Sequence, residues 1–113
     1  VIYHEQLTVT GTGGTVYTTQ ALAGLIERIK VKYTNGDAGG DVTITDDETA
    51  AAVLTLTNGN TDKDGPLQVA VMGNTGAAIA NVYAKLAVAG RLKCVVADEA
   101  ANSTVTIDVW WSR

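Results

Sequence analysis

A two-residue alternation of apolar and polar side chains recurs along this chain and constrains its fold more tightly than any other feature. The last instance is the clearest: Val105, Ile107, Val109 and Trp111 fall on one side of an extended segment, and Thr104, Thr106, Asp108 and Trp110 on the other. Successive side chains of a strand point to opposite faces, so such a run buries one face and wets the other. The pattern returns at Leu92, Cys94 and Val96, with Arg91 and Lys93 opposite, at Val82, Ala84, Leu86 and Val88, at Leu67, Val69 and Val71, and across residues 53–57. Residues 25–34 put Leu25, Ile29, Val31 and Tyr33 on one face and Ile26, Arg28, Lys30 and Lys32 on the other, with Glu27 breaking the apolar side. Asn35-Gly36-Asp37-Ala38-Gly39-Gly40-Asp41 is dense in residues that accept positive φ and predicts a β-hairpin leading into Val42 and Ile44. Seven or eight short strands without a long helix predict an all-β fold, a single antiparallel β-sandwich or small barrel of jelly-roll type. The missing crossover helices exclude a parallel sheet.

A length of 113 residues with 46% hydrophobic and 18% charged side chains suits one domain with one core. Residues 2–10 alternate weakly and end at Gly11-Thr12-Gly13-Gly14, so residues 1–14 are expected to form an N-terminal strand or arm with a Gly-rich connector, and residues 15–113 the sandwich. Asp46-Asp47-Glu48 reads as a solvated loop, and the small-residue apolar segment 73–81 as a loop that packs against something. Ala70, Ala84, Ala87 and Ala89, with Ile26, Tyr83 and Trp110, occupy strand faces expected to be wet. Such a surplus points to subunit contact, the alternative being scattered surface hydrophobes of the ordinary kind.

A net charge of −4 argues against holding nucleic acid, which needs a surplus of Lys and Arg on one face. The basic residues are never adjacent, and no apolar stretch approaches the roughly 18 residues of a membrane span, so neither a membrane surface nor a bilayer is an expected partner. Val1-Ile2-Tyr3-His4-Glu5 lacks the regions of a signal peptide, and the expectation is a soluble, unexported chain. His4 is the only histidine and Cys94 the only cysteine, which leaves neither a Ser or Cys nucleophile with a base nor a zinc ligand set; no enzyme activity and no cofactor are expected. Cys94 reads as a small buried hydrophobe. The Gly-rich residues 10–14 lack the lysine of a phosphate loop.

Asn60-Thr61-Asp62-Lys63-Asp64-Gly65 has the oxygen-ligand spacing of the first half of a calcium-binding loop, which makes Asn60, Asp62 and Asp64 the metal candidates. The match then fails, because Pro66 follows the glycine and Val71 stands where a bidentate glutamate is required. A polar loop rich in turn formers is the preferred reading. By alternation Trp111 points into the core, and Trp110 is the residue available for contact.

Leu86-Ala87-Val88-Ala89-Gly90-Arg91-Leu92-Lys93-Cys94-Val95-Val96-Ala97 and Thr104-Val105-Thr106-Ile107-Asp108-Val109-Trp110-Trp111 resemble small virion proteins of tailed bacteriophages. Ile29-Lys30-Val31-Lys32-Tyr33-Thr34-Asn35-Gly36 and Asp41-Val42-Thr43-Ile44-Thr45-Asp46 are similar to the same group, so the likeness spans most of residues 25–111. The functional type it most resembles is the capsid decoration, or cement, protein. The resemblance implies a protein on the capsid exterior, made in the host cytoplasm, that binds the major capsid protein as a trimer and clamps neighbouring capsid subunits. On that reading Val1, Ile2, Tyr3, His4, Leu7 and Val9 form the capsid-contacting or strand-exchanging segment, and Ile26, Tyr83, Ala84 and Trp110 the subunit contact. The rival is a carbohydrate- or receptor-binding β-sandwich of a phage fibre or tail, using Trp110, Tyr83 and the acidic loops.

Overall fold

The computed structural model describes residues 1–113 and contains eleven strands and no helix. They are β1 (Ile2–Thr10), β2 (Gly14–Tyr17), β3 (Gly24–Thr34), β4 (Asp41–Asp46), β5 (Ala52–Leu56), β6 (Lys63–Gly65), β7 (Gln68–Met72), β8 (Ala78–Lys85), β9 (Ala87–Val88), β10 (Leu92–Ala97) and β11 (Thr104–Ser112). All pairings are antiparallel. One sheet runs β1-β11-β3-β6 with β9 added to β3, a second runs β2-β10-β4-β5, and β7 and β8 pair only with each other. The expected antiparallel all-β architecture is present; the strand number is higher because β2, β6 and β9 are short segments with too few residues to show a period.

The segments with the cleanest alternation occupy the sheet centres. β11 lies between β1 and β3, β10 lies between β2 and β4, and their inward residues meet in a core of 17 side chains. Val105, Ile107, Val109 and Trp111 from one sheet and Val42, Ile44, Leu92 and Cys94 from the other are almost wholly buried. A strand flanked on both sides has a fixed face, so its pattern stays sharp.

Two expectations about β3 and its exit are corrected. Arg28 pairs with Trp110, but Ile26 pairs with Trp111, so β3 carries one extra residue, Glu27, opposite a single step of β11. This β-bulge reverses the alternation. Ile26 and Ile29 therefore both face the core although three residues apart, Ile26 is fully buried, and Leu25 is the exposed one. Ile26 is a core residue and not a subunit contact. Nor do β3 and β4 form a hairpin, since they belong to different sheets and residues 35–41 carry the chain across the sandwich. Turn-forming residues specify that the chain reverses, not whether it reverses within a sheet or between two.

β1 pairs with β11 along all nine of its residues. Its inward positions are Tyr3, Glu5, Leu7 and Val9, and the weak alternation traces to Glu5. That carboxylate accepts hydrogen bonds from the Thr19 amide at 2.9 Å and the Thr19 hydroxyl at 3.0 Å, tying β1 to the segment between β2 and β3. Leu7 and Val9 belong to the core, so they too are corrected from contact residues to packing residues. Residues 2–10 are an edge strand of the sheet.

Candidate functional site

The side chains capable of chemistry are few and committed. Cys94 is buried in β10, and its thiol is pushed up to about 12, first by burial and then by the nearby charge of Glu5, which keeps it in the inert protonated form. His4 Nε2 lies 2.8 Å from Asp108 Oδ1, and the Gln6 amide donates to the same oxygen at 3.2 Å. The imidazole stacks on Trp110 with ring centroids 4.6 Å apart and covers one side of the indole. Arg28 is the register partner of Trp110 on the other side. The neighbouring hydroxyl of Ser112 donates to Glu27 at 2.7 Å, which is also bound by Lys85 at 2.6 Å. The outer face of the β1-β11-β3 sheet thus carries a polar cluster in which His4 and Gln6 both bind Asp108.

The calcium candidates are spread over three partners. Asp62 accepts from the Tyr33 amide at 2.9 Å, Asp64 pairs with Arg28 at 2.8 Å, and the Asn60 amide donates to the Gly36 carbonyl at 3.2 Å. The segment fastens the 57–66 connection to β3, and no cluster of three or more His, Cys, Asp or Glu side chains has the spacing to hold a metal ion. Among the surface hollows, the most apolar has a volume of about 540 Å³ and lies over Ala23, Leu25, Val88 and Ala89 beside the turn that Asp46 secures.

The feature that stands out is the β7–β8 hairpin. Residues 73–81 were expected to be a loop that packs against something; the second strand begins within them at Ala78, and every residue of β8 is exposed on this chain. β7 alternates between exposed and half-buried, and only Leu67 and Leu86, at the two feet, pack against the core. Gln68 pairs with Lys85, Val69 with Ala84 and Ala70 with Tyr83; a register shift beyond Ala70 then leaves Met72 opposite Ala78. Tyr83 and Ala70 share one face, and Val69 and Ala84 the other. Tyr83 is 61% exposed and Met72 70%, with Ile79 and Val82 also exposed. Residues 67–84 contain no charged side chain in a chain whose charged fraction is 18%. The molecule is correspondingly long, 46 × 29 × 22 Å, with a radius of gyration of 14.4 Å against the ~13 Å of an average domain of this length.

Of the residues singled out from the sequence, Tyr83 and Ala84 therefore lie on this hairpin, whereas Trp110 and His4 lie on the polar sheet face. Val1 and Ile2 are exposed at the start of β1, and Tyr3 turns inward to stack on Trp111 at 5.6 Å. Met72, Ile79 and Val82 were not singled out; the charge-free run of 18 residues is the signal that would have found them. No protein-family model matches the chain, and no curated protein is similar to it.

Proposed function

We propose that this protein is a non-catalytic structural component of a virion, binding the major capsid protein on the capsid exterior as a homotrimer and clamping neighbouring subunits. The likeness to small phage virion proteins supplies the biological setting. The observation that carries the reading is the distribution of apolar surface. A rigid sandwich presents two separate adhesive elements, the β7–β8 hairpin and the exposed start of the edge strand β1, with Ile2 57% exposed. A clamp needs two contacts on a stiff body, and a sheet edge offers unpaired backbone groups for the second. The rival carbohydrate-binding reading has less support, because His4 covers one side of Trp110, the ring a sugar would need.

The test is sedimentation of the purified protein with heads of the phage that encodes it. Co-sedimentation at a fixed ratio to the major capsid protein, with a higher melting temperature of the loaded heads, is the expected result. Absence of binding to heads, with binding to a glycan array instead, rejects the proposal in favour of the rival.

A further inference from the structure

We infer that Asn35 is a site of spontaneous covalent modification, where the backbone amide of Gly36 attacks the side-chain amide of Asn35 and converts it, through a succinimide ring, into aspartate and isoaspartate. The reaction needs only this chain and solvent, and it is independent of the virion reading above.

Attack on an asparagine side chain requires an unhindered amide on the next residue, which glycine provides because it carries no Cβ. The chain has two such pairs, Asn35-Gly36 and Asn58-Gly59. They are closely matched: both asparagines are exposed, both glycines are half-buried, and both asparagines have positive φ, 53° and 51°. Hydrogen bonding separates them. The Gly59 amide donates to the Gly40 carbonyl at 3.0 Å and the Asn58 amide to Asp41 at 3.0 Å, so the backbone that would have to turn and attack is pinned twice. The Gly36 amide makes no hydrogen bond within the chain. Only its carbonyl is held, by the Asn60 side chain at 3.2 Å, and the Asn35 side chain is restrained by one long bond to the Asn102 carbonyl at 3.4 Å. A Cβ at position 36 would lie 3.0 Å from Asn60 Cβ and 3.1 Å from Tyr33 Cβ, so packing favours the same glycine that makes the site reactive. Of the other asparagines, Asn60 and Asn74 precede threonine and Asn81 precedes valine, whose branched side chains crowd the attack; Asn102 precedes Ser103, whose amide donates to Ala100 at 3.0 Å.

The Gly36 nitrogen gives up its proton to a solvent base and bonds to Asn35 Cγ; the Cγ–Nδ2 bond breaks, and the side-chain nitrogen leaves as ammonia with a proton returned to it. Water then opens the ring at either carbonyl. In sum, water is consumed and ammonia released, with no change of oxidation state. The product places a carboxylate at the end of the sandwich where residues 11–13, 35–40, 57–62 and 98–103 carry Asp37, Asp62, Asp98 and Glu99 and no lysine or arginine. Isoaspartate also adds a methylene to the main chain of the crossing that holds the Asp37 amide on Glu99. The charge and the backbone of this end therefore change with the age of the molecule.

The experiment is peptide mapping by mass spectrometry of the folded protein incubated in mildly alkaline buffer made with heavy-oxygen water, beside the same protein unfolded in urea. In the folded protein the Asn35 peptide is expected to accumulate labelled aspartate and isoaspartate about tenfold faster than the Asn58 peptide, the size of effect that one hydrogen bond on the attacking amide gives. In urea the two rates are expected to converge. Equal rates in the folded protein, or a faster Asn58, overturn the inference. The same ratio in folded and unfolded protein also overturns it, because flanking sequence and not the fold would then set the difference. Retention of the Asn35 amide in the folded protein, while both sites react in urea, rejects it as well. Asn35→Gln, whose longer side chain disfavours ring closure, is expected to remove the label from this peptide and leave the Asn58 rate unchanged; label persisting in that variant assigns the reaction to another residue and rejects Asn35. Head binding is measured separately, so the virion reading stands or falls on its own test.

Discussion

The carboxylate of Asp46, at the end of β4, caps the turn that leads into the neighbouring strand β10, where its Oδ1 accepts from the Gly90 amide at 3.1 Å. The same side chain accepts from Ala89 at 3.0 Å and from Glu48 at 3.0 Å, so one buried acid satisfies three backbone donors in two turns. Burial pushes its carboxyl up, but the amides of Ala89, Glu48 and Gly90 outweigh that and hold it below the ordinary value. Asp46→Ala is expected to lower stability by about 3 kcal/mol, because the donors stay buried without partners. Asp46→Asn, which keeps one acceptor oxygen, is expected to lose about half as much. Because the folded-state value is depressed, the stabilisation is complete above the ordinary carboxylate range and disappears as pH falls through the lowered value. Urea unfolding as a function of pH should therefore show the wild type and Asp46→Asn converging in acid and separating towards neutrality.

Glu99 is the opposite case of a buried acid. Its Oε1 accepts from the Asp37 amide at 3.2 Å, but Oε2 is buried without a partner. The carboxylate lies against the Cα of Gly40, where any Cβ would overlap it. Tyr33 nearby has its phenol pushed up, by burial first and then by the charges of Glu99, Asp62 and Asp41. Glu99→Gln removes a buried charge of which one oxygen has no partner, so a gain of about 1 kcal/mol is expected. Phenolate absorbance should show the Tyr33 titration moving back towards the ordinary value, but not reaching it, since burial remains. Gly40→Ala should destabilise by about 2 kcal/mol, as overpacking against a buried group does. Loss of stability in Glu99→Gln would reverse this account.

The adjacent tryptophans should separate cleanly. Trp111 is buried against Tyr3 and the core, and Trp111→Ala is expected to cost about 3–5 kcal/mol in chemical denaturation. Trp110 stacks on His4 at the surface, and Trp110→Ala is expected to cost about 1 kcal/mol. Equal costs would mean that Trp110 is held by more than its stack.

That contrast was legible beforehand, because β11 is a central strand whose period-2 pattern has no interruption. The same reasoning misplaced Ile26, since a β-bulge at Glu27 breaks the phase by one residue and nothing local marks an extra residue inside an otherwise regular strand. It also joined β3 to β4 as a hairpin, because the turn chemistry of residues 35–41 serves a crossing between sheets equally well. The surplus of alanine and aromatic surface was visible at Ala70, Tyr83 and Ala84. That it stands off the body as a hairpin was not, because alternation reports which residues share a face and not whether that face meets a core. Asp46 was read as part of a solvated acidic loop, and nothing marked Glu5; the amides of Ala89 and Gly90 for the one and of Thr19 for the other are partners distant in sequence, and composition carries no trace of those.

The edge strand gives the sharpest test of how the domain is divided. Residues 2–10 make nine register pairs with β11, put Leu7 and Val9 in the core and bring Tyr3 onto Trp111. A detachable arm would leave a folded sandwich after deletion of residues 1–10, with head binding alone lost. Here the deletion is expected to abolish cooperative folding, because it uncovers the buried side of Trp111, removes two core side chains and turns β11 into an unprotected edge. Leu7→Ala within the intact chain should cost about 2–3 kcal/mol, and the outward Thr8→Ala under about 0.5 kcal/mol. Circular dichroism melting of the three proteins decides the matter: a sharp, near-wild-type transition in the deletion variant would restore the arm, and a graded loss from Thr8→Ala through Leu7→Ala to the deletion assigns the strand to the core.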